Sequence, residues 1–292
     1  FVADQPVPVR FDGEIISSPS ANSQGSWSID LFIPESPAGV YSVTVPNPGG
    51  ELNAPFRVTP AIVLSGTHGE PGAPIDLAGF GFASNEKGIT VTLNQTQLVS
   101  GISAGPTGSW NVSFIVPSIP AQSYALQASG PVTSAGTLAD EIITIAPVLT
   151  VRPASGVPGS VVNVAGSGFR SQERDIVISY DGIPVATVLL ADAQGTFTTS
   201  FAVPVSAGGL HFISHSRAIA IASGGSEASF QVARGISLDQ TEGPPDSKIN
   251  ISGLGFTAND PLITITFDDE QVLAEVAAGP QGSFTTSIVI PP

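Results

Sequence analysis

The stretch Gly282–Pro292, GSFTTSIVIPP, has three earlier counterparts in the chain: GSWSIDLFIP from Gly25, GSWNVSFIVP from Gly108 and GTFTTSFAVP from Gly195. A second motif, GxGF, recurs as Gly79-Phe80-Gly81-Phe82, Gly166-Ser167-Gly168-Phe169 and Gly253-Leu254-Gly255-Phe256, each copy 87 residues after the last. Ile89, Ile176 and Ile263 keep the same spacing. A fixed period of this length means that one folding unit is repeated, and it sets the size of the core that each unit must build. Boundaries after Thr59, Ala146 and Ala233 divide the 292 residues into four segments: a partial repeat 1–59 lacking the first strands, complete repeats 60–146 and 147–233, and a partial repeat 234–292 lacking the last strands.

Within a repeat, short alternating segments are separated by Gly, Pro and Asp turns, and no stretch keeps a helical period, so the unit reads as all-β. In 147–233 a strand around Leu149–Val151 leads to the turn SGVPG, Ser155–Gly159, and then to the strand VVNVAGSGF. Asp76, Asn163 and Asn250 occupy one outward position of that strand between inward apolar neighbours. The next strand is ITVTL, IVISY or ITITF, and it turns at Asn94-Gln95, Asp181-Gly182 or Asp268-Asp269. Asp-Gly at such a point marks a two-residue hairpin. Alternation in the GSF-type strand places Trp110, Val112, Phe114 and Val116 on one face, and it places Trp27, Ile29, Leu31 and Ile33 likewise, so both tryptophans are expected in cores. About seven strands in 87 residues describe an immunoglobulin-like Greek-key sandwich without a disulfide, repeated in tandem.

The PG turn (Pro158, Gly159), GxGF (Gly166, Gly168, Phe169), the YDG hairpin, the Gly-Ser/Thr-Phe strand opening and the Gly-x-Tyr strand resemble the prokaryotic form of the IPT/TIG immunoglobulin-like repeats. Asp246 departs from the pattern, standing where the PG turn has its Gly, and is expected to alter that turn. The resemblance implies cell-surface stalks, adhesins and lattice proteins, or accessory modules of carbohydrate enzymes. These motifs are turn and core positions, so they specify a fold and no activity.

Composition narrows the function classes. Nine basic against 24 acidic residues give a net charge of −15, which repels nucleic acid and anionic membranes. No apolar run is long enough to span a bilayer, so direct membrane insertion is not expected. Charged residues are only 11% of the chain, below the usual quarter or so, which fits faces packed against neighbouring copies or a compositional drift away from Lys. With no Cys or Met, disulfides and thiolate metal sites are unavailable and each unit relies on its apolar core.

Few side chains carry candidate chemistry. GxGF lacks the third glycine of a dinucleotide fingerprint, having Ser84, Ser171 and Ala258 there. His211 and His215 are about 13 Å apart along a strand, His68 lies in a turn, and no Ser/His/Asp set recurs, so no catalysis and no cofactor are expected. Asp268, Asp269 and Glu270 cluster carboxylates at a hairpin tip and are the candidate calcium ligands. The equivalents Asn94-Gln95-Thr96 and Asp181-Gly182-Ile183 favour an ordinary solvated turn instead. Asn94, Asn111 and Asn250 head N-x-S/T triplets and are candidate glycosylation sites. Recognition, if present, is expected in the connection between the last two strands, 15 residues from Tyr41 to Phe56 but 19 from Tyr124 to Ile143 and from His211 to Phe230.

Joins such as RVTPAIV and TIAPVLT leave about two residues between strands of successive units. The expectation is a semi-rigid rod: a structural, non-catalytic segment of an extracellular, cell-surface protein that packs against further repeats or other copies of itself. The alternatives are an adhesin binding a glycan or protein through its variable loops, and an accessory module of a larger secreted enzyme. The last segment reads as a cut through a longer array, with strand donation between subunits as the other reading.

Overall fold

The computed structural model describes residues 1–216, 227–267 and 270–291. They form two compact units, Phe1–Val116 with Ser123–Thr144, and Pro117–Gln122 with Ile145–Pro292. No helix among the described residues is long and apolar enough to cross a membrane.

The second unit contains the sandwich in full. A three-stranded sheet has the order Val148–Arg152, Val161–Ser167, Phe197–Ala202. A five-stranded sheet has the order Ser155–Gly156, Ala228–Val232, Gly209–Ser216, Arg174–Tyr180, Ile183–Leu190. The segment expected only to turn, SGVPG, does more: Ser155 and Gly156 pair in parallel with Gln231 and Val232. The chain thus crosses from one sheet to the other at its first strand, an edge device that two residues are too short to announce by periodicity. The inner faces meet in a core of Val162, Val164, Phe169, Ile176, Ile178, Ile213 and Phe230, each essentially inaccessible. The strands from Ala61 to Ile145 follow the same plan, with sheets of three and five strands. Asp76, Asn163 and Asn250 are exposed between buried neighbours, as alternation requires.

GxGF is a packing motif, and it works together with the later glycine that opens the GTF strand. A Cβ on Gly166 would lie 2.3 Å from the Phe197 ring, and Gly79 and Gly253 stand in the same relation to Trp110 and Phe284, so the ring of the partner strand lies on the bare backbone. The motif phenylalanine closes this clasp edge-on: ring centroids are 4.9 Å apart for Phe169–Phe197, 5.3 Å for Phe82–Trp110 and 5.1 Å for Phe256–Phe284. The later glycine that opens GTF, Gly195, has φ +72 and exchanges a hydrogen bond with the motif, Phe169 N–H donating to its carbonyl at 3.0 Å.

The first segment holds a fourth clasp. Phe1 meets Trp27 edge-on at 5.9 Å, and a Cβ on Gly25 would strike the Phe1 carbonyl, so Phe1 stands where GxGF places its phenylalanine. The rest of that segment is a single four-stranded sheet, ordered Glu14–Ser17, Val9–Phe11, Gly39–Asn47, Gly50–Val58. Here one expectation fails. Residues 25–34 form no strand, Trp27 is half-buried rather than in a core, and Ile29 is exposed. In the complete repeat the equivalent strand Trp110–Ile115 is laddered to Pro74–Phe80, and the first segment contains no counterpart of Pro74–Phe80. Without that ladder the alternating sequence has no backbone partner to hold it extended.

The last segment holds the other half. Gly235–Leu238, Lys248–Leu254 and Phe284–Val289 form the three-stranded sheet, and Ile263–Phe267 pairs with Glu270–Val276. Asp246 does not alter the turn. It adopts φ +64 where Gly159 has +87, and its N–H bonds Ile290 O at 2.9 Å as Gly159 N–H bonds Val203 O at 2.8 Å. Aspartate tolerates the left-handed region better than most residues, at some cost relative to glycine.

Only Thr59-Pro60, Ala146-Pro147 and Ala233-Arg234 lie between the last strand of one repeat and the first of the next. Within the second unit, Ala121 N–H donates to Phe169 O at 2.7 Å and Gly208 N–H to Phe256 O at 2.9 Å, so a GxGF carbonyl is twice used as an anchor. In the first unit the Glu35 carboxylate accepts from the hydroxyls of Thr107 and Ser109.

Two substitutions test these assignments by chemical denaturation. Gly166→Ala should destabilise its repeat by about 2–3 kcal/mol through overpacking, whereas Gly136→Ala, whose Cβ would meet nothing nearer than 3.9 Å, should be near neutral. Asp246→Gly should raise stability by up to about 1 kcal/mol by relieving the left-handed backbone.

Candidate functional site

The connection between the last two strands is built differently in each repeat. In the first segment it is scarcely a loop: Gly39–Asn47 and Gly50–Val58 stay in register to a two-residue turn at Pro48-Gly49. In 60–146 the strands end at Ser129 and resume at Glu141, with a single 3-10 turn at Ala135–Thr137 between them. In 147–233 most of the connection, 217–226, lies outside the described residues.

The connection in 60–146 is fixed by a buried carboxylate. Glu86 is 5% exposed and lies two residues after Ser84, at the foot of the strand Lys87–Leu93. Its Oε1 accepts from the N–H groups of Val132 and Thr133, both at 2.8 Å, and its Oε2 from the Thr133 hydroxyl at 2.6 Å and Ala83 N–H at 3.1 Å. Burial pushes this carboxyl up, but the hydrogen bonds from Thr133, Val132 and Ala83 outweigh it and hold the group below the ordinary glutamate value. Its partners are all donors, so the charge is solvated by the protein and the arrangement reads as a structural anchor. Glu173, the equivalent in 147–233, accepts from Arg170 N–H at 2.8 Å.

His211 is a polar junction of the second unit. Its Nδ1 lies 2.6 Å from Asp181 Oδ2 and its Nε2 2.8 Å from Ala207 O, while its ring stacks on Tyr180 at 5.0 Å. Asp181 also accepts from Phe212 N–H at 3.0 Å. Burial pushes the Asp181 carboxyl up, and the His211 and Phe212 hydrogen bonds bring it below its ordinary value. Both His211 nitrogens thus face oxygens of the fold. The geometry resembles a catalytic dyad, yet the second nitrogen is spent on a carbonyl four residues upstream, and no nucleophile receives it. Tyr41 does the same task in the first segment, its hydroxyl donating to Pro37 O at 2.8 Å, again four residues upstream. His211 therefore closes the corner that a tyrosine closes elsewhere, as its place in the Gly-x-Tyr pattern implied.

Of the calcium candidates, Asp268 and Asp269 lie outside the described residues, and Glu270 opens the strand Glu270–Val276. Among the described residues no three His, Asp or Glu side chains gather as metal ligands. The equivalent turns are tight hairpins with both central residues left-handed, Asn94-Gln95 at φ +45 and +71 and Asp181-Gly182 at +47 and +79.

The three asparagines differ. Asn94 sits at an exposed hairpin tip, and Asn111 is exposed on Trp110–Ile115. Asn250 is exposed too, but its side-chain amide donates to Asp239 Oδ2 at 2.7 Å and its N–H to Oδ1 at 2.8 Å, so its nitrogen is already engaged. These hydrogen bonds hold Asp239 below its ordinary value. Sequence spacing could not separate the three, because the Asp239 contact comes from just beyond the end of the adjacent strand Gly235–Leu238.

One further concavity, of about 570 Å³, lies on the outer face of a three-stranded sheet, where Thr150, Arg152, Asn163, Thr198, Thr199 and Ser200 line it. It presents hydroxyls and one guanidinium and no aromatic platform.

No protein-family model matches this chain, and no curated protein does. Among solved structures it is similar to Salmonella alpha-2-macroglobulin, at 13% identity over 100% of this chain and 25% of that one, TM-score 0.26. It is also similar to the Escherichia coli adhesin FdeC, at 10% identity over 80% of this chain and 88% of that one, TM-score 0.26. A third is the Bacteroides ovatus mixed-linkage glucan utilization protein SGBP-B, at 13% identity over 99% of this chain and 82% of that one, TM-score 0.29. The chain spans about a quarter of the length of the alpha-2-macroglobulins it matches. None of these likenesses says what this chain binds or does.

The Glu86 anchor makes a pH prediction. A carboxyl lowered in the folded state contributes stability that is present above its unfolded value and lost as pH falls through its folded value. Hydrogen-exchange protection at the Val132 and Thr133 amides, relative to the intrinsic rate at each pH, should therefore be high at neutral pH and fall below the ordinary carboxylate range. Glu86→Gln, which turns an NH2 toward donors, should remove that dependence and cost about 2–4 kcal/mol.

Proposed function

We propose that this chain is a structural, non-catalytic segment of an extracellular prokaryotic surface protein of the IPT/TIG-repeat kind. Its repeats act as a stiff spacer, and its weakly charged faces pack against further copies. The observation that carries this reading is the construction of the joins. Only two residues separate the last strand of one repeat from the first of the next, and the GxGF carbonyls of Phe169 and Phe256 accept hydrogen bonds from Ala121 and Gly208. Such joins leave little freedom for independent rotation, which is what a spacer needs and an enzyme domain does not. The polar groups that could have carried chemistry, Glu86 and His211, have their hydrogen bonds taken up by the fold.

A second reading, an adhesin that binds a glycan or protein, is favoured by one feature: the last connection is a tight hairpin at Pro48-Gly49 in one repeat and an eleven-residue excursion pinned by Glu86 in another, 130–140. Conserved sheets beneath variable connections are how β-sandwiches commonly carry recognition. Calcium at Asp268, Asp269 and Glu270, and glycans at Asn94 and Asn111, would be additions to either reading.

Sedimentation and negative-stain imaging across a concentration series distinguish the two. Ordered side-by-side or end-to-end association, with no signal on a glycan array, is the expected result. A chain that stays strictly monomeric at high concentration and binds a glycan through 130–140 would replace the spacer reading with the adhesin one. Calorimetric titration with calcium, with and without Asp268→Asn/Asp269→Asn, should show heat only in the parent chain if the hairpin tip holds the ion.

A further inference from the structure

The proposal rests on packing against further copies and names the surface that does it. Each repeat has a hairpin whose second strand stands at the outer edge of its sheet, and three of these four edges are protected against pairing. Glu14–Ser17 is four residues long and begins with an acid. Thr96–Ser103 is broken by Gly101 at φ +76 and pairs with its neighbour through three register irregularities. Glu270–Val276 carries Glu270 and Glu275 and has two irregularities. Short length, bulges and inserted charges are the devices that keep sheet edges from joining other sheets.

The fourth edge, Ile183–Leu190, has little such protection. It is eight residues long, IPVATVLL, with no charged residue and no glycine, and it has a single irregularity, opposite Ile178/Ser179. Among the described residues its main chain pairs with Arg174–Tyr180 on one side only, and it stands last in the order of its sheet. Pro184 lacks an N–H and blunts the beginning, which leaves Val185–Leu190, about 20 Å of strand, free to pair. The exposed apolar side chains lie at the two ends, Ile183 at 67%, Leu189 at 74% and Leu190 at 47%.

We propose that Ile183–Leu190 pairs antiparallel with the same strand of a second copy, joining two five-stranded sheets into one of ten. Two features select a second copy as the occupant. Two chains of net charge −15 repel wherever carboxylates meet, and this strand carries none. The flanking acids are also engaged, Asp181 by His211 and Asp192 by the N–H groups of Gln194 and Thr196. Antiparallel self-pairing is two-fold symmetric, so it brings the Ile183 end of one strand against the Leu189-Leu190 end of the other and covers the exposed apolar groups of both.

The test uses the whole chain, which has no cysteine of its own. Thr187 lies at or beside the two-fold axis in any centred register. Thr187→Cys should form a disulfide-linked dimer on mild oxidation, much faster than Asn111→Cys on the other sheet. Leu189→Lys, placing like charges in the pair, should weaken dimerisation at least tenfold in sedimentation while circular dichroism is unchanged. If the chain associates equally well with Leu189→Lys, and the two cysteine variants cross-link alike, the edge assignment is overturned and packing through another face stands. If the parent chain stays monomeric to millimolar concentration and Thr187→Cys does not cross-link, both fall.

Discussion

The fold turns on one contact repeated along the chain: an aromatic ring lying on a backbone that has no side chain. Phe197 rests on Gly166, Trp110 on Gly79 and Phe284 on Gly253, and in each case the GxGF phenylalanine closes over the ring edge-on. A ring this close to the main chain leaves no room for a methyl group, so glycine is obligatory for a steric reason that has nothing to do with turns. The same phenylalanine also offers its carbonyl to an outside donor in two repeats, at Phe169 and Phe256. Core closure and repeat joining thus share one residue. A sequence motif that looks like a ligand loop is in this chain the hinge pin of the fold.

The terminal segments show what the clasp can and cannot do alone. Phe1 and Trp27 keep the edge-on pair at 5.9 Å, yet the following residues adopt no strand because no Pro74–Phe80 equivalent is there to ladder with. Aromatic packing fixes a point, whereas a strand needs hydrogen-bond partners along its length. The exposed Phe32, at 94%, lies on that unladdered stretch, while its counterpart Ile115 is part of a strand. Identical patterning therefore gives different structure when the neighbouring strand is missing.

Much of this was legible in the sequence, and the rest failed for definable reasons. The repeat, the all-β class, the Asp181-Gly182 hairpin and the outward Asn163 follow from period and alternation, which are local. The parallel pairing of Ser155-Gly156 was not legible, since two residues carry no period. The role of Phe1 could have been found by noticing that GSW requires a phenylalanine partner wherever it occurs. Glu86 carried a faint signal, since Glu173 and Asp260 follow at the 87-residue spacing, but only the fold brings Val132 and Thr133 to it. Asp246 was expected to disturb its turn because its substitution was judged by residue type, whereas the turn is held by the Ile290 hydrogen bond and aspartate accepts the required φ. The difference between Asn111 and Asn250 likewise depends on a neighbouring strand.

Repeats joined by two residues, with Glu86 and His211 engaged by the fold, suit the spacer role we propose. That role is mechanical and is tested most directly by pulling the chain from its two ends in a force spectrometer. The account predicts two discrete unfolding events of similar force for the complete sandwiches 60–146 and 147–233, each releasing about 300 Å of contour from its 87 residues. Gradual extension at low force without discrete events, or one event releasing both repeats together, would contradict it.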